Sequence, residues 1–218
     1  MGQQVFVTAA IADYLQAMTT PEPALLQTWR QQTATHAAAK LGITPTQSQF
    51  LALLMQIGGY QRILELGTGL GYSTLAMAIA LPQTSSILTL DRDRATTDLA
   101  RQYWESVGLS DRIQLWQGEI RPALQQLQQQ GDRFDFIWID ADKRATADYF
   151  QAARSLLAPK GLIAVDNVLW SGRVAGPDDG DRRTQALRDF NAAIAADPTL
   201  QVSLLPLGDG IALIRPCN

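Results

Sequence analysis

The sequence predicts an α/β fold: a seven-stranded, mostly parallel sheet with one antiparallel strand, helices on both faces, and extra helices at the N-terminus. Three observations predict it. From residue 62 onward short apolar runs alternate with helical stretches, the pattern of a parallel sheet covered on both faces. Two late apolar runs are joined only by Pro206, Leu207, Gly208 and Asp209, a joint so short that it makes a hairpin and reverses one strand. The first sixty residues instead carry helical spacing and helix stop signals.

Thr8 is placed to cap a first helix that ends before Pro21. A second is expected over 22–40, with Leu25, Leu26 and Trp29 on an apolar stripe and Gly42 as its stop. A third starts after Thr44 with Pro45 in its first position and ends at Gly58 and Gly59. Strands are expected at 62–66, 86–90, 113–116, 134–139 and 162–165, with helices starting near Tyr72, Arg94, Arg121 and Thr146 between them. A Gly/Pro/Asp-rich loop over 171–181, a helix over 183–196, and hairpin strands at 201–205 and 210–214 complete the chain. The glutamines of 125–130 read as a solvated helix face.

The composition excludes several classes. With 218 residues, 46% hydrophobic and 18% charged, the chain has material for one domain with a sizeable core and is not of disordered type. No apolar run reaches the roughly 20 residues of a membrane-spanning helix. Residues 1–7 show no basic stretch ahead of an apolar one, so no secretory signal is expected. The single cysteine, Cys217, cannot form an internal disulfide, which fits a cytoplasmic protein with an exposed thiol. A net charge of -3 argues against a dedicated nucleic-acid binder.

The first strand, ending at Leu66, runs into Gly67, Thr68, Gly69, Leu70 and Gly71 before a helix opens at Tyr72 and Ser73. Glycine lets the backbone turn sharply and lets a ligand approach without meeting a Cβ. Asp91, at the end of the second strand, is placed to accept ribose hydroxyls. Tyr72 stands where a dinucleotide fingerprint needs its third glycine, so pyrophosphate fits poorly. Glu65 before the loop repels phosphate and suits a ligand with an amino group. S-adenosylmethionine (SAM) has an amino group, a sulfonium and a ribose.

The fourth strand ends in Asp140, Ala141, Asp142 and Lys143, and the fifth in Asp166 and Asn167. Neighbouring strands lie about 4.8 Å apart, and their carboxyl ends open on the same edge of a parallel sheet. Asp140, Asp166 and Asn167 can therefore share one hard cation, and magnesium takes about six oxygens. Either aspartate alone would read as a turn residue or helix cap. Together with Lys143 on the glycine-loop edge they read as a metal site.

These residues together resemble the cation-dependent, SAM-using O-methyltransferases, the family of catechol O-methyltransferase, the plant caffeoyl-CoA O-methyltransferases and their bacterial relatives. The similarity runs from about Pro45 to Arg215 and rests on four stretches: residues 64–73, 139–143, 166–170 and 206–210. It is closest to the caffeoyl-CoA and bacterial branch. The resemblance implies a Rossmann-like methyltransferase fold forming one domain over 1–218. Residues 1–60 would contribute to the acceptor pocket and a homodimer, and 61–218 would form the cofactor- and metal-binding core.

It also implies roles. Asp140, Asp166 and Asn167 would ligate a divalent cation, magnesium first, manganese or calcium as alternatives. Lys143 would be the catalytic base, with Asp140 and Asn167 beside it. Glu65, Gly67, Thr68, Ser73 and Asp140 would hold the methionine part of SAM and Asp91 its ribose. Asp142, Gly118 and Ile120 would flank the adenine, and Ile43 matches a backbone contact to the cofactor by position. Trp170 and Ser171 would line the acceptor pocket. Two departures stand out. Glu119 replaces the proline usual in plant members, and residues 1–40 and 172–183 do not match them closely, so a coenzyme A ester is not supported as acceptor.

The activity implied is methyl transfer from SAM to a hydroxyl of a catechol-type phenol, whose acidity the cation raises. A free lysine, with a pKa of about 10.4, is a poor base at neutral pH, so Lys143 would act beside the cation. A hydroxylated tRNA base is the alternative acceptor. An NAD-linked dehydrogenase is disfavoured by Tyr72, and a non-catalytic binding module has no use for the base and cation. His36 reads as a surface or helix-packing residue and Trp104, Trp116 and Trp138 as packing against the sheet. Trp29 would serve the N-terminal helices. Gly208 to Gly210 read as a hairpin turn, with a site-facing role as the alternative that the resemblance leaves, and Arg173, Arg182 and Arg183 as a solvated charge group, with contact to an anionic acceptor as the alternative.

Overall fold

A computed structural model describes residues 7–217; the expectation drawn from 1–7 therefore lies, but for Val7, outside the described residues. Helices α1 (Ala9–Met18), α2 (Ala24–Thr33) and α3 (Pro45–Gly58) precede the sheet. Its strands are β1 (Arg62–Leu66), β2 (Ser86–Asp91), β3 (Ile113–Gln117), β4 (Phe134–Ile139), β5 (Leu157–Asp166), β6 (Leu200–Leu205) and β7 (Ile211–Pro216). Between them run α4 (Tyr72–Ala80), α5 (Arg94–Ser106), α6 (Ile120–Gln130), α7 (Thr146–Leu156) and α8 (Arg182–Ala196). The strand order is β3-β2-β1-β4-β5-β7-β6, and β7 is antiparallel to both its neighbours. The reversed strand of the hairpin is thus its second.

Side-chain alternation along each strand divides the core in two. Ile63, Ile87, Phe136 and Trp138 face α2 to α5, packing on Leu26, Leu51, Met55, Leu75 and Trp104. Leu64, Leu90, Ile137 and Val165 face α6 to α8, packing on Leu124, Phe150 and Phe190. Burial of both faces explains why the central strands read as continuous apolar runs. Trp104 and Trp138 are buried and Trp116 packs partly buried, as expected. In α6, Gln125, Gln126, Gln129 and Gln130 are exposed.

The N-terminal expectations hold at their caps. The Thr8 hydroxyl accepts from the Ile11 amide, and Thr44 with Gln47 forms a reciprocal capping box at α3. Gly59 closes α3 at φ 62°. The expected helix over 22–40 is interrupted. The Thr33 hydroxyl bonds back to the Trp29 carbonyl at 2.9 Å, the chain turns extended at His36, and a 3₁₀ turn follows over Ala37–Leu41. His36 is the cap of that turn, its Nδ1 accepting from the Ala38 amide at 3.1 Å. β5 also begins earlier than expected. Phe134 pairs with Leu157 through a register shift, so Pro159 lies inside a strand margin and not in a loop.

Candidate active site

The carboxyl ends of β1, β2, β4 and β5 open into one cavity of ≈ 1010 Å³, which the 3₁₀ turn and the start of α3 also line. Its floor is the glycine loop. Gly67, at φ 97°, lies so close to β4 that a Cβ would run into the Asp140 carbonyl, so no other residue fits. Gly71 likewise lets α4 pack on Trp104 and Ala100. The space over Gly69 is open.

Of the residues assigned to SAM, Ile43, Gly67, Thr68, Ser73, Asp91, Ile120, Asp140 and Asp142 line this cavity; Glu65 and Gly118 do not. Glu65 is wholly buried behind the loop, where the hydroxyls of Ser73 (2.5 Å), Thr89 (2.6 Å) and Thr74 donate to it. Burial pushes its carboxyl up to about 7, against the pull of those three hydroxyls. In this arrangement Ser73, which lines the cavity, links it to Glu65. Gly118 sits behind the wall at φ 156°, its amide donating to the Asp91 carbonyl, while Glu119 and Ile120 face the cavity.

Asp91 holds the loop as well as facing the cavity. One oxygen accepts the Thr68 and Gly69 amides, each at 2.9 Å, and the other accepts the Asp93 amide. Asp142 caps the turn that carries Lys143 and is forked by Arg144, which holds its carboxyl below the usual range.

The acidic constellation assembles as β4 and β5 dictate. Lys143 Nζ donates to Asp140 Oδ1 at 2.7 Å and to the Asp166 carbonyl at 3.4 Å. Asp166 is 2% exposed, and burial first, the neighbouring Asp140 charge second, push its carboxyl up to about 7. Asn167 adopts φ 62°, a left-handed conformation that asparagine tolerates and that turns the chain at the strand end. Asp166, whose burial disfavours its charge, together with Asp140 and an amide is a donor set that a hard cation fits. Among the described residues no group of three or more His, Cys, Asp or Glu could hold an ion, so a cation here would need an oxygen beyond the two carboxylates, and Asn167, which lines the cavity, can offer one.

Trp170 and Ser171, at φ 48° and 53°, line the cavity beside Asn167. The hairpin turn supports them. Asp209 accepts from the Ser171 amide, and Gly210 and Asp209 carbonyls accept from the Val168 and Leu169 amides. The stretch 208–210 is therefore more than turn chemistry: Gly208 and Asp209 face the cavity. Sequence reasoning also missed Gln47, whose Nε2 donates to Asp166 Oδ1 at 2.9 Å. The Thr44–Gln47 capping pattern was the only available signal, and it says nothing of a partner 119 positions away. Trp29 does more than serve its own helix: it stacks on Tyr103 at 4.4 Å and donates to the Leu70 carbonyl at 2.7 Å, pinning α2 onto the glycine loop. Arg173 is tied to Asp179 and Asp181, while Arg182 and Arg183 are exposed.

A glycine loop after β1 and a carboxylate after β2, on this strand order, define a Rossmann-like enzyme that binds a nucleoside at the carboxyl edge of its sheet. The comparisons with known proteins narrow the class. A family model described as O-methyltransferase matches residues 16–217. Caffeoyl-CoA O-methyltransferase 1 of Eucalyptus globulus is 37% identical over 202 residues, 89% of this chain and 82% of that protein. The O-methyltransferase of Bacillus cereus in complex with SAH superposes with a TM-score of 0.87 at 34% identity, covering 95% of this chain and 97% of that one. TomG of Streptomyces achromogenes, an O-methyltransferase of tomaymycin synthesis solved with SAM, gives 0.86 at 26% identity, covering 96% of each chain. The chain belongs to the O-methyltransferase family. It is a SAM-dependent O-methyltransferase.

Proposed function

We propose that the protein transfers the methyl group of SAM to one hydroxyl of a catechol-type phenol, with a divalent cation, magnesium first, at Asp140, Asp166 and Asn167. The observation that carries this reading is the pairing of Asp140 and Asp166 at the ends of β4 and β5, with Lys143 Nζ 2.7 Å from Asp140. When bound, the cation would supply Lewis acidity toward two adjacent acceptor oxygens.

The chain's own residues do the rest. Gly67, Gly69 and Ser73 leave room for the donor along the loop, and Asp91 offers remaining lone pairs to a ribose. Trp170 and Ser171 orient the acceptor ring over the carboxylates. Lys143 Nζ would take the hydroxyl proton as the neutral amine, the form that a cation held at Asp140 would favour, and its 2.7 Å contact with Asp140 Oδ1 sets where the nitrogen stands in the cavity. The attacking oxygen and the sulfonium lose opposite charges together, so the main contribution of the fold is alignment.

A second copy of the chain is the proposed partner. The apolar residues Tyr14, Leu15 and Met18 of α1 are exposed, and α1 buries none of its residues, which supports a covered face in a homodimer. No helix of the described residues is long and apolar enough to cross a membrane.

The test is Asp166→Ala. Activity on a catechol should disappear together with its response to added cation, while the SAH dissociation constant stays near that of the wild type. An active variant that resists chelator would contradict the cation assignment.

A further inference from the structure

Gln47 is 3% exposed, yet the capping of α3 alone does not need its nitrogen. Its Oε1 accepts from the Thr44 amide at 3.0 Å and from the Thr44 hydroxyl at 3.1 Å. That settles the amide's orientation, since a flipped amide would set its NH₂ against the Thr44 amide N–H, donor against donor. Nε2 therefore points the other way and donates to Asp166 Oδ1 at 2.9 Å. Gly208 presses on the same amide from the β6–β7 turn, where a Cβ would run into it. Oδ1 receives a second donor, the Asn167 amide, at 2.8 Å. No hydrogen bond among the described residues reaches Oδ2, and Asp166 lines the cavity.

We propose that Gln47 is a positioning residue for the cation site: it saturates Oδ1 of Asp166, fixes the plane of the carboxylate, and so presents Oδ2 to the cation. This rests on the reading of Asp140, Asp166 and Asn167 as cation ligands. The same side chain ties the segment after Ile43, which covers the donor end of the cavity, to the carboxylate at its acceptor end. Outer partners of metal-ligating carboxylates commonly set ion affinity in this way, by removing rotational freedom from the ligand.

The test is Mn²⁺ binding to the full-length protein, followed by electron paramagnetic resonance, in the wild type, Gln47→Met and Thr44→Ala. Gln47→Met should weaken Mn²⁺ about tenfold or more. Thr44→Ala loses the cap hydroxyl but keeps the backbone anchor and the Nε2 donor, so its Mn²⁺ affinity should stay close to that of the wild type. Equal affinities for Gln47→Met and wild type overturn the positioning role. So does an equal loss in both variants, which is what a purely structural role gives. A wild type that binds no Mn²⁺ overturns the cation reading itself, and the positioning role falls with it. Because Gln47→Met can fail to fold, a second readout uses the wild type alone. The Gln47 side-chain amide protons should shift in a Mg²⁺ titration with the midpoint of cation binding; amide protons that do not move overturn the proposal.

Discussion

Lys143 has two oxygens within reach, Asp140 Oδ1 at 2.7 Å and the Asp166 carbonyl at 3.4 Å, and both belong to strand ends that face the cavity. Its nitrogen is thus held by the residues proposed to bind the cation, and removing it should damage chemistry more than binding. Lys143→Ala should lower kcat by about 10²–10⁴, the usual worth of a general base, and leave the SAH dissociation constant unchanged. Unchanged turnover would remove Lys143 from that role. Glu65 makes a separate prediction. Its carboxyl stands at about 7 in the folded protein against an ordinary 4.5, because burial disfavours the charge. Between those values the folded state binds more protons than the unfolded one, so Glu65 makes stability fall as pH rises from about 4.5 to about 7. Glu65→Gln should flatten that fall, by at most about 3 kcal/mol. Urea unfolding of cation-free protein at pH 4.5 and pH 8 measures it. An identical pH dependence in variant and wild type would contradict the burial argument.

Among the elements, those whose ends are marked by local chemistry match the sequence most closely. α3 is the clearest case: Thr44, Pro45 and Gln47 set its start and Gly59 its end, all through contacts within a few residues. Thr44→Ala should cost about 1 kcal/mol of stability, read as a lower urea midpoint with an unchanged slope. The second helix fared differently because alanines at 37–39 are compatible with a continuous helix. What divides it is a back-bond from Thr33 and the imidazole cap of His36, both choices among alternatives equally open to the sequence. β5 extends to Leu157 for a similar reason. Pro159 and Gly161 look like turn residues, and they fall in the register shift between the Phe134–Leu157 and Phe136–Leu162 pairs, which β4 supplies on either side of them.

In the molecule as a whole, the site was legible where the sheet itself supplies it. Parallel strands end on one edge, so Asp91, Asp140 and Asp166 had to meet around the glycine loop once the alternation of strands and helices was read. That Glu65 lies behind the loop was not legible, because the sequence does not say that three hydroxyls, two of them from α4, bond its oxygens. Gln47 and Trp29 were not legible as site residues for a related reason. Each reaches the site by packing across long stretches of chain, with no periodic or motif signal for the distance. The end of α2, the 3₁₀ turn, the start of α3 and the β6–β7 turn thus complete the wall of a cavity whose floor is the glycine loop at the ends of the central strands.

The central claim is cation-dependent methyl transfer to a catechol, and product mass tests it most directly. The protein is incubated with SAM and a small panel of catechols, once with magnesium and once with EDTA. The account predicts that an acceptor gains one methyl group with magnesium and none in EDTA. Equal methylation in both conditions would contradict the cation's role, and an absence of product in either, from protein shown to bind SAM, would contradict the catechol acceptor.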